Sequence, residues 1–231
     1  MSSEIAKLAL RFQKMMFPTV HVLVPKVLFT YLVSSVLREH GNPADANREL
    51  FKHGVWSGST ALLHLSSPSA LRSLWPKEGR AEGVQRFIEV YGQAAWNIFA
   101  GYLPRISTEA VDKRGFVWAL IEENPDKDAF YKVATPEGVD PLYFIAGAYE
   151  GATLTAFRLL EVEREWYSMW RPVKGGIAGF YARKTLQVAE VVNYATRRNP
   201  SFFELVKWRD SALFAAELLG YEVPSEEAVR R

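Results

Sequence analysis

The sequence predicts an α+β protein, and three observations carry that expectation. Three helix starts are marked by an Asn or Asp followed by Pro, at Asn42-Pro43, Asp140-Pro141 and Asn199-Pro200. Two segments, Gly115–Glu122 (GFVWALIE) and Ala129–Ala134 (AFYKVA), are rich in aromatic and β-branched residues and flank a turn at Asn124-Pro125-Asp126. That arrangement reads as an antiparallel hairpin. Between the second and third starts, the stretch after Pro141 carries no charge before Glu150, which is the signature of a buried central helix.

In chain order, Ile5, Leu8, Ala9, Phe12, Met15 and Met16 recur at helical spacing, with Lys7, Arg11 and Lys14 off the stripe. A basic amphipathic helix of this kind can lie on a membrane, but more often it packs on the chain's own core or on a second subunit, and Ile5, Leu8, Phe12 and Met15 are its interface candidates. Val27–His40 reads as a second helix, with Thr30, Ser34 and Arg38 along one side. A third runs from Asn42 to about Leu65. The Asn side chain caps free N–H groups, and Pro suits the first helical position. Gly54 and Gly58 lie inside it, where each Gly costs about 1 kcal/mol. Such a pair implies close approach by another backbone. Ser66–Gly83 is expected to be a loop or a short broken helix.

In the helix Val84–Ala100, Gln85, Arg86, Glu89, Gln93 and Asn97 share a polar sector, while Phe87, Ile88, Tyr91, Ala95, Ile98 and Phe99 face a core. Trp96 falls among the polar positions, so it reads as a loosely packed surface ring or as an interface anchor. The helix after Pro141 bears Gly147 and Gly151. Its charges at Glu150, Arg158 and Glu161 fall on one narrow stripe. Gly175-Gly176 and Gly179 mark a junction, beyond which Phe180–Arg197 and Pro200–Leu219 read as amphipathic helices. The expected division is residues 1–172 as the main domain and 173–231 as a C-terminal helical extension.

Composition excludes several classes. With 48% hydrophobic and 13% aromatic residues, 231 residues bury a sizeable core. A net charge of +2 gives no field that calls for nucleic acid. The absence of cysteine removes disulfides, thiolate catalysis and thiolate metal sites. Together with six Asn and four Gln, it is the composition expected of a thermophilic cytoplasmic protein. The longest apolar stretch, Thr19–Leu37, is interrupted by His21, Pro25 and Lys26, so no transmembrane segment is expected. Gly54-Val55-Trp56-Ser57-Gly58-Ser59-Thr60 lacks the Lys of a phosphate loop and the spacing of a nucleophile elbow. His53 and His64 share a helix face about 16 Å apart, too far for one metal ion. Lys174-Gly175-Gly176 reads as a flexible joint before an anion cradle. No catalytic residue, metal or cofactor is assigned.

Four blocks, taken in order, resemble the small-subunit family of the transport protein particle (TRAPP) complexes and the related 4-vinyl reductase-type domain. They are Phe29-Thr30-Tyr31; Leu50-Phe51-Lys52-His53-Gly54 with Gly58; Trp96 to Pro104; and Phe116–Phe130, followed by Tyr143-Phe144-Ile145-Ala146-Gly147 and Gly151. The likeness covers roughly residues 20–165. It implies helices packed on a small antiparallel sheet, dimerisation through the N-terminal helices and, in some members, a hydrophobic tunnel for an acyl chain. The cysteine that carries a covalent acyl chain in such members is missing here. Any fatty acyl ligand would therefore bind non-covalently.

A short final strand is usual in the family, and Arg164–Trp170 is the candidate for it. The expected function is that of a non-enzymatic, homodimeric, TRAPP-like scaffold that engages protein partners in a larger assembly. The alternative is a hydrophobic-ligand module walled by Phe29, Val33, Phe87, Tyr91, Phe144, Ala148 and Phe157, since ligand pockets are lined mainly by such side chains.

Overall fold

A computed structural model of the chain describes residues 23–75, 81–100, 102–111, 116–124, 133–173 and 175–184. Helix α1 (Leu23–Glu39) accommodates Pro25 in its first turn, where no N–H is needed. It buries Phe29, Val33 and Val36, one stripe at i, i+4 and i+7. Helix α2 (Pro43–Leu65) starts as its sequence requires: Asn42 accepts the Asp45 N–H at 2.9 Å, with Pro43 at the first position. A Ser-Pro pair repeats the device at α3 (Pro68–Leu74), where Ser67 Oγ accepts the Ala70 N–H at 3.2 Å. Helix α4 (Ala81–Ala100) follows.

Strands β1 (Arg105–Val111) and β2 (Phe116–Glu122) precede the central helix α5 (Leu142–Leu160). The Asp140 carboxylate accepts the Leu142 N–H at 2.9 Å and opens α5. Glu161, left-handed at φ 62, closes it; the Val162 N–H reaches the Phe157 carbonyl and the Glu161 N–H that of Arg158. Strands β3 (Trp166–Val173) and β4 (Gly176–Arg183) complete a four-stranded antiparallel sheet of order β1-β2-β4-β3.

The α+β class is what the structure shows, with helices on a small antiparallel sheet. The hairpin assignment is corrected. β2 pairs with β1 on one edge and β4 on the other, so neither edge is left for a strand at 129–134. Residues 129–132 lie outside the described residues, and Val133 and Ala134 form no strand. β1 escaped notice because Arg-Ile-Ser-Thr-Glu-Ala-Val is half polar, as edge strands are.

The candidate third strand at Arg164–Trp170 is real and runs on to Val173. The expected junction at Gly175-Gly176 is instead the tight turn of the β3–β4 hairpin, with Gly175 at φ +82. Phe180–Arg183 is therefore strand, and a boundary after residue 172 would divide one sheet. The extension beyond Lys184 lies outside the described residues.

Val117, Ala119 and Ile121 of β2, Ile177 and Tyr181 of β4, and Trp166 and Trp170 of β3 share one core with the helices. On the opposite face Leu120, Met169, Ala178, Phe180 and Ala182 are buried as well. This is why the strands read as continuous apolar runs rather than alternating ones. Gly179 is required here by sheet packing. A Cβ there would lie 2.4 Å from the Trp170 ring, which sits across it in register.

Candidate functional site

Among the described residues, helices α2 and α5 share the most extensive helix–helix interface, and glycines set its spacing. A Cβ at Gly54 would meet the Phe144 carbonyl oxygen at 2.1 Å, and one at Gly58 the Ala148 oxygen at 1.9 Å. From the other side, Gly147 faces the Phe51 oxygen at 2.1 Å and Gly151 the Val55 oxygen at 1.9 Å. The two pairs interlock as the sequence spacing implied. Ser59 Oγ donates to the Gly151 carbonyl at 3.0 Å across the seam.

Six of the seven proposed pocket residues share one core, with Phe29, Val33, Phe87 and Phe157 buried in it and Tyr91 and Phe144 packed against it. Phe29 meets Phe144 edge-on at 5.1 Å, with Val33 in the same core, where α1 and α5 approach. Ala148 belongs to the glycine seam. Phe87 and Tyr91 stack at 5.3 Å. Trp75 packs edge-on against Phe87 at 5.1 Å, Phe157 at 5.6 Å and Trp166 at 6.4 Å. Such edge-to-face contacts are cohesive packing. Burial pushes the Tyr91 hydroxyl up to about 12, partly offset by a hydrogen bond with Ser66.

Trp96 is corrected from interface anchor to core residue. It is 1% exposed and packs against Tyr102 at 6.4 Å and Tyr149 at 6.2 Å. The polar sector of α4 misled because it faces β1 rather than water alone. Gln85 Nε2 donates to Thr108 Oγ1 at 2.8 Å, and Thr108 Oγ1 donates to Glu89 Oε1 at 2.6 Å. Asn97 on the same sector is buried. Ile5, Leu8, Phe12 and Met15 lie outside the described residues.

A buried polar cluster, which the sequence reading did not single out, lies where α5 crosses β3. Glu150, one of the three charges on the narrow stripe of α5, is fully buried. Its carboxylate accepts Ser168 Oγ–H at 2.7 Å and the Trp170 N–H at 2.8 Å. Arg171, also buried, donates to the Trp170 carbonyl, and its guanidinium lies 5.0 Å from the Phe51 ring centre. Desolvation is the main effect on Glu150 and raises its pKa to about 7, against the Ser168 hydrogen bond, the Arg171 charge and the Trp170 N–H, which lower it.

Beside this cluster, Tyr181 Oη accepts Trp170 Nε1–H at 3.2 Å and pairs with Thr153 Oγ1 at 3.1 Å. Tyr149 Oη donates to the Gly92 carbonyl at 2.7 Å and ties α5 to α4. Burial holds both phenols well above the usual tyrosine range. None of these groups is exposed, and the cluster ties α5 to α4, β3 and β4.

Among the described residues, large apolar side chains are exposed at Trp56 and Leu63 of α2 and on the outward face of α1. Val27, Leu28 and Tyr31 are 64%, 65% and 69% exposed. Lys26, Val27, Thr30, Tyr31, Ser34 and Arg38 line an open groove of about 760 Å³ on that helix. The polar side read in the sequence at Thr30, Ser34 and Arg38 is thus one wall of a mixed apolar and basic surface. No described helix is long and apolar enough to cross a membrane. No protein-family model matches the chain, and no curated protein matches it.

Proposed function

We propose that the chain is a non-enzymatic interaction scaffold of the TRAPP-like kind, homodimeric through its first helix, with α1 offering a further contact surface. One observation carries the reading: three large apolar side chains stand 64–69% exposed within two turns of α1. Clustered exposed apolar groups of this sort are characteristic of interaction sites. A rigid body supports the role, because the interlocked glycines and the buried Glu150 cluster fix α2, α5 and β3 relative to one another.

The reading as a hydrophobic-ligand module has less support, because the rings of its wall residues are engaged in edge-on and stacked contacts with one another and with Trp75. Sedimentation velocity at micromolar concentration tests the scaffold. A dimer of the 26.2 kDa chain that Phe12→Asp dissociates is expected. A monomeric wild type overturns the homodimer.

A further inference from the structure

Resting on the scaffold reading, we propose that the α1 groove receives an acidic amphipathic helix from a partner protein rather than a second copy of this chain. Lys26 and Arg38 stand at the two ends of the groove, twelve residues and about 18 Å apart along the helix. Between them lie the exposed Val27 and Tyr31, with Thr30 and Ser34 beside them. The Thr30 hydroxyl is turned back to the Lys26 carbonyl at 2.8 Å, so it makes no demand on a partner. The six lining residues carry two cations and no carboxylate.

Charge decides the occupant. A two-fold axis can lay α1 against its own copy in only two ways. Antiparallel pairing brings Lys26 over the copy's Arg38, and parallel pairing brings each cation over itself. Either juxtaposes like charges, which suppresses association. Cations about 18 Å apart cannot converge on one small anion. The exposed apolar side chains of this face, Val27, Leu28 and Tyr31, are also fewer than the broad stripe an interfacial membrane helix needs. An approaching helix with an apolar stripe and carboxylates about three turns apart satisfies every part of the groove, in the helix-in-groove mode.

The test uses two labelled 21-residue amphipathic peptides with the same leucine stripe. One carries Glu and the other Lys at the flanking positions, and fluorescence anisotropy follows binding to the full chain. The acidic peptide is expected to bind at least tenfold tighter, with the difference shrinking in 0.5 M salt. Lys26→Glu with Arg38→Glu should reverse the preference, and Tyr31→Ser should weaken acidic-peptide binding about tenfold. Circular dichroism confirms that each variant is folded.

Equal binding of the two peptides, binding of neither, or stronger binding to phosphatidylserine vesicles than to the acidic peptide overturns the proposal. So does loss of the dimer in Tyr31→Ser, which would make this face a contact between copies. A monomeric wild type that still selects the acidic peptide overturns the homodimer and keeps the partner helix. A stable dimer that does not discriminate does the reverse.

Discussion

Replacing Gly151 by Ala tests whether the α2–α5 seam organises the fold. The added Cβ would lie 1.9 Å from the Val55 carbonyl oxygen, a backbone atom that cannot rotate away. Ordinary contact needs well over 3 Å, so the helices must part by more than 1 Å. That separation would also open the contacts at Gly54, Gly58 and Gly147, which are set by the same approach.

Overpacking costs about 1–3 kcal/mol and occasionally more, and a rigid backbone clash belongs at the upper end. Against it, Ala gains about 1 kcal/mol over Gly in a helix interior. The net loss expected is about 2–3 kcal/mol, which lowers the melting temperature of a chain this size by roughly 4–12 °C. Thermal denaturation followed by circular dichroism reads it directly. Gly41→Ala serves as the control, since a Cβ there meets nothing within 4 Å. A Gly151→Ala protein as stable as the wild type would refute the reasoning, because propensity alone would then govern the position.

Three further perturbations probe other features. Glu150→Gln should flatten the pH dependence of stability. The folded pKa of about 7 exceeds the ordinary 4.5, so the folded state holds the extra proton between those values. Stability from this group is therefore full below about pH 4.5 and lost as pH rises through 7, by about 3 kcal/mol in all. Melting temperatures of variant and wild type should lie close at pH 4, where Gln mimics the protonated acid, and separate towards pH 8 as the wild type falls below the variant; parallel curves would contradict the assignment. Trp96→Ala should cost about 3–5 kcal/mol as a core deletion and leave the sedimentation coefficient of the native state unchanged. A change in assembly without loss of stability would restore its role as an interface anchor. Asn42→Ala should cost about 1 kcal/mol, measured by urea denaturation, because it removes the cap that accepts the Asp45 N–H.

Features that depend on local chemistry were legible in the sequence. The Asn42-Pro43 and Asp140-Pro141 starts and the paired glycines speak through capping and close approach, which a few neighbouring residues determine. Strand pairing was not legible, because β2 finds its partners at β1 and β4 and not across the nearby turn. Side-chain sectors on α4 and α5 were visible, but a polar sector names no neighbour. On α4 it meets Thr108 of β1, and on α5 Glu150 meets Ser168 and the backbone of Trp170. Trp96 was misplaced for the same reason, since its burial depends on Tyr102 and Tyr149. The α1 surface was half visible: the run Thr30, Ser34, Arg38 stood out, but the exposure of Val27 and Tyr31 beside it needed coordinates.

The Glu150 cluster bears on where partners bind. β3 is an edge strand, and an edge presents backbone groups that recruit strands from other chains unless something blocks them. At Trp170 both outward groups are taken, the N–H by the Glu150 carboxylate and the carbonyl by Arg171. Two residues on, at the same outward phase, Pro172 has no N–H to offer. Earlier on the strand, the Trp166 N–H is bound to the Val162 carbonyl at 3.1 Å. A second chain therefore cannot extend the sheet at β3 without breaking a fully buried carboxylate site. Ionising Glu150 does not open the edge, because the carboxylate accepts the Trp170 N–H more strongly than the acid does. Among the described residues, helix surfaces such as the exposed face of α1 remain open to association, with apolar and basic side chains that suit it.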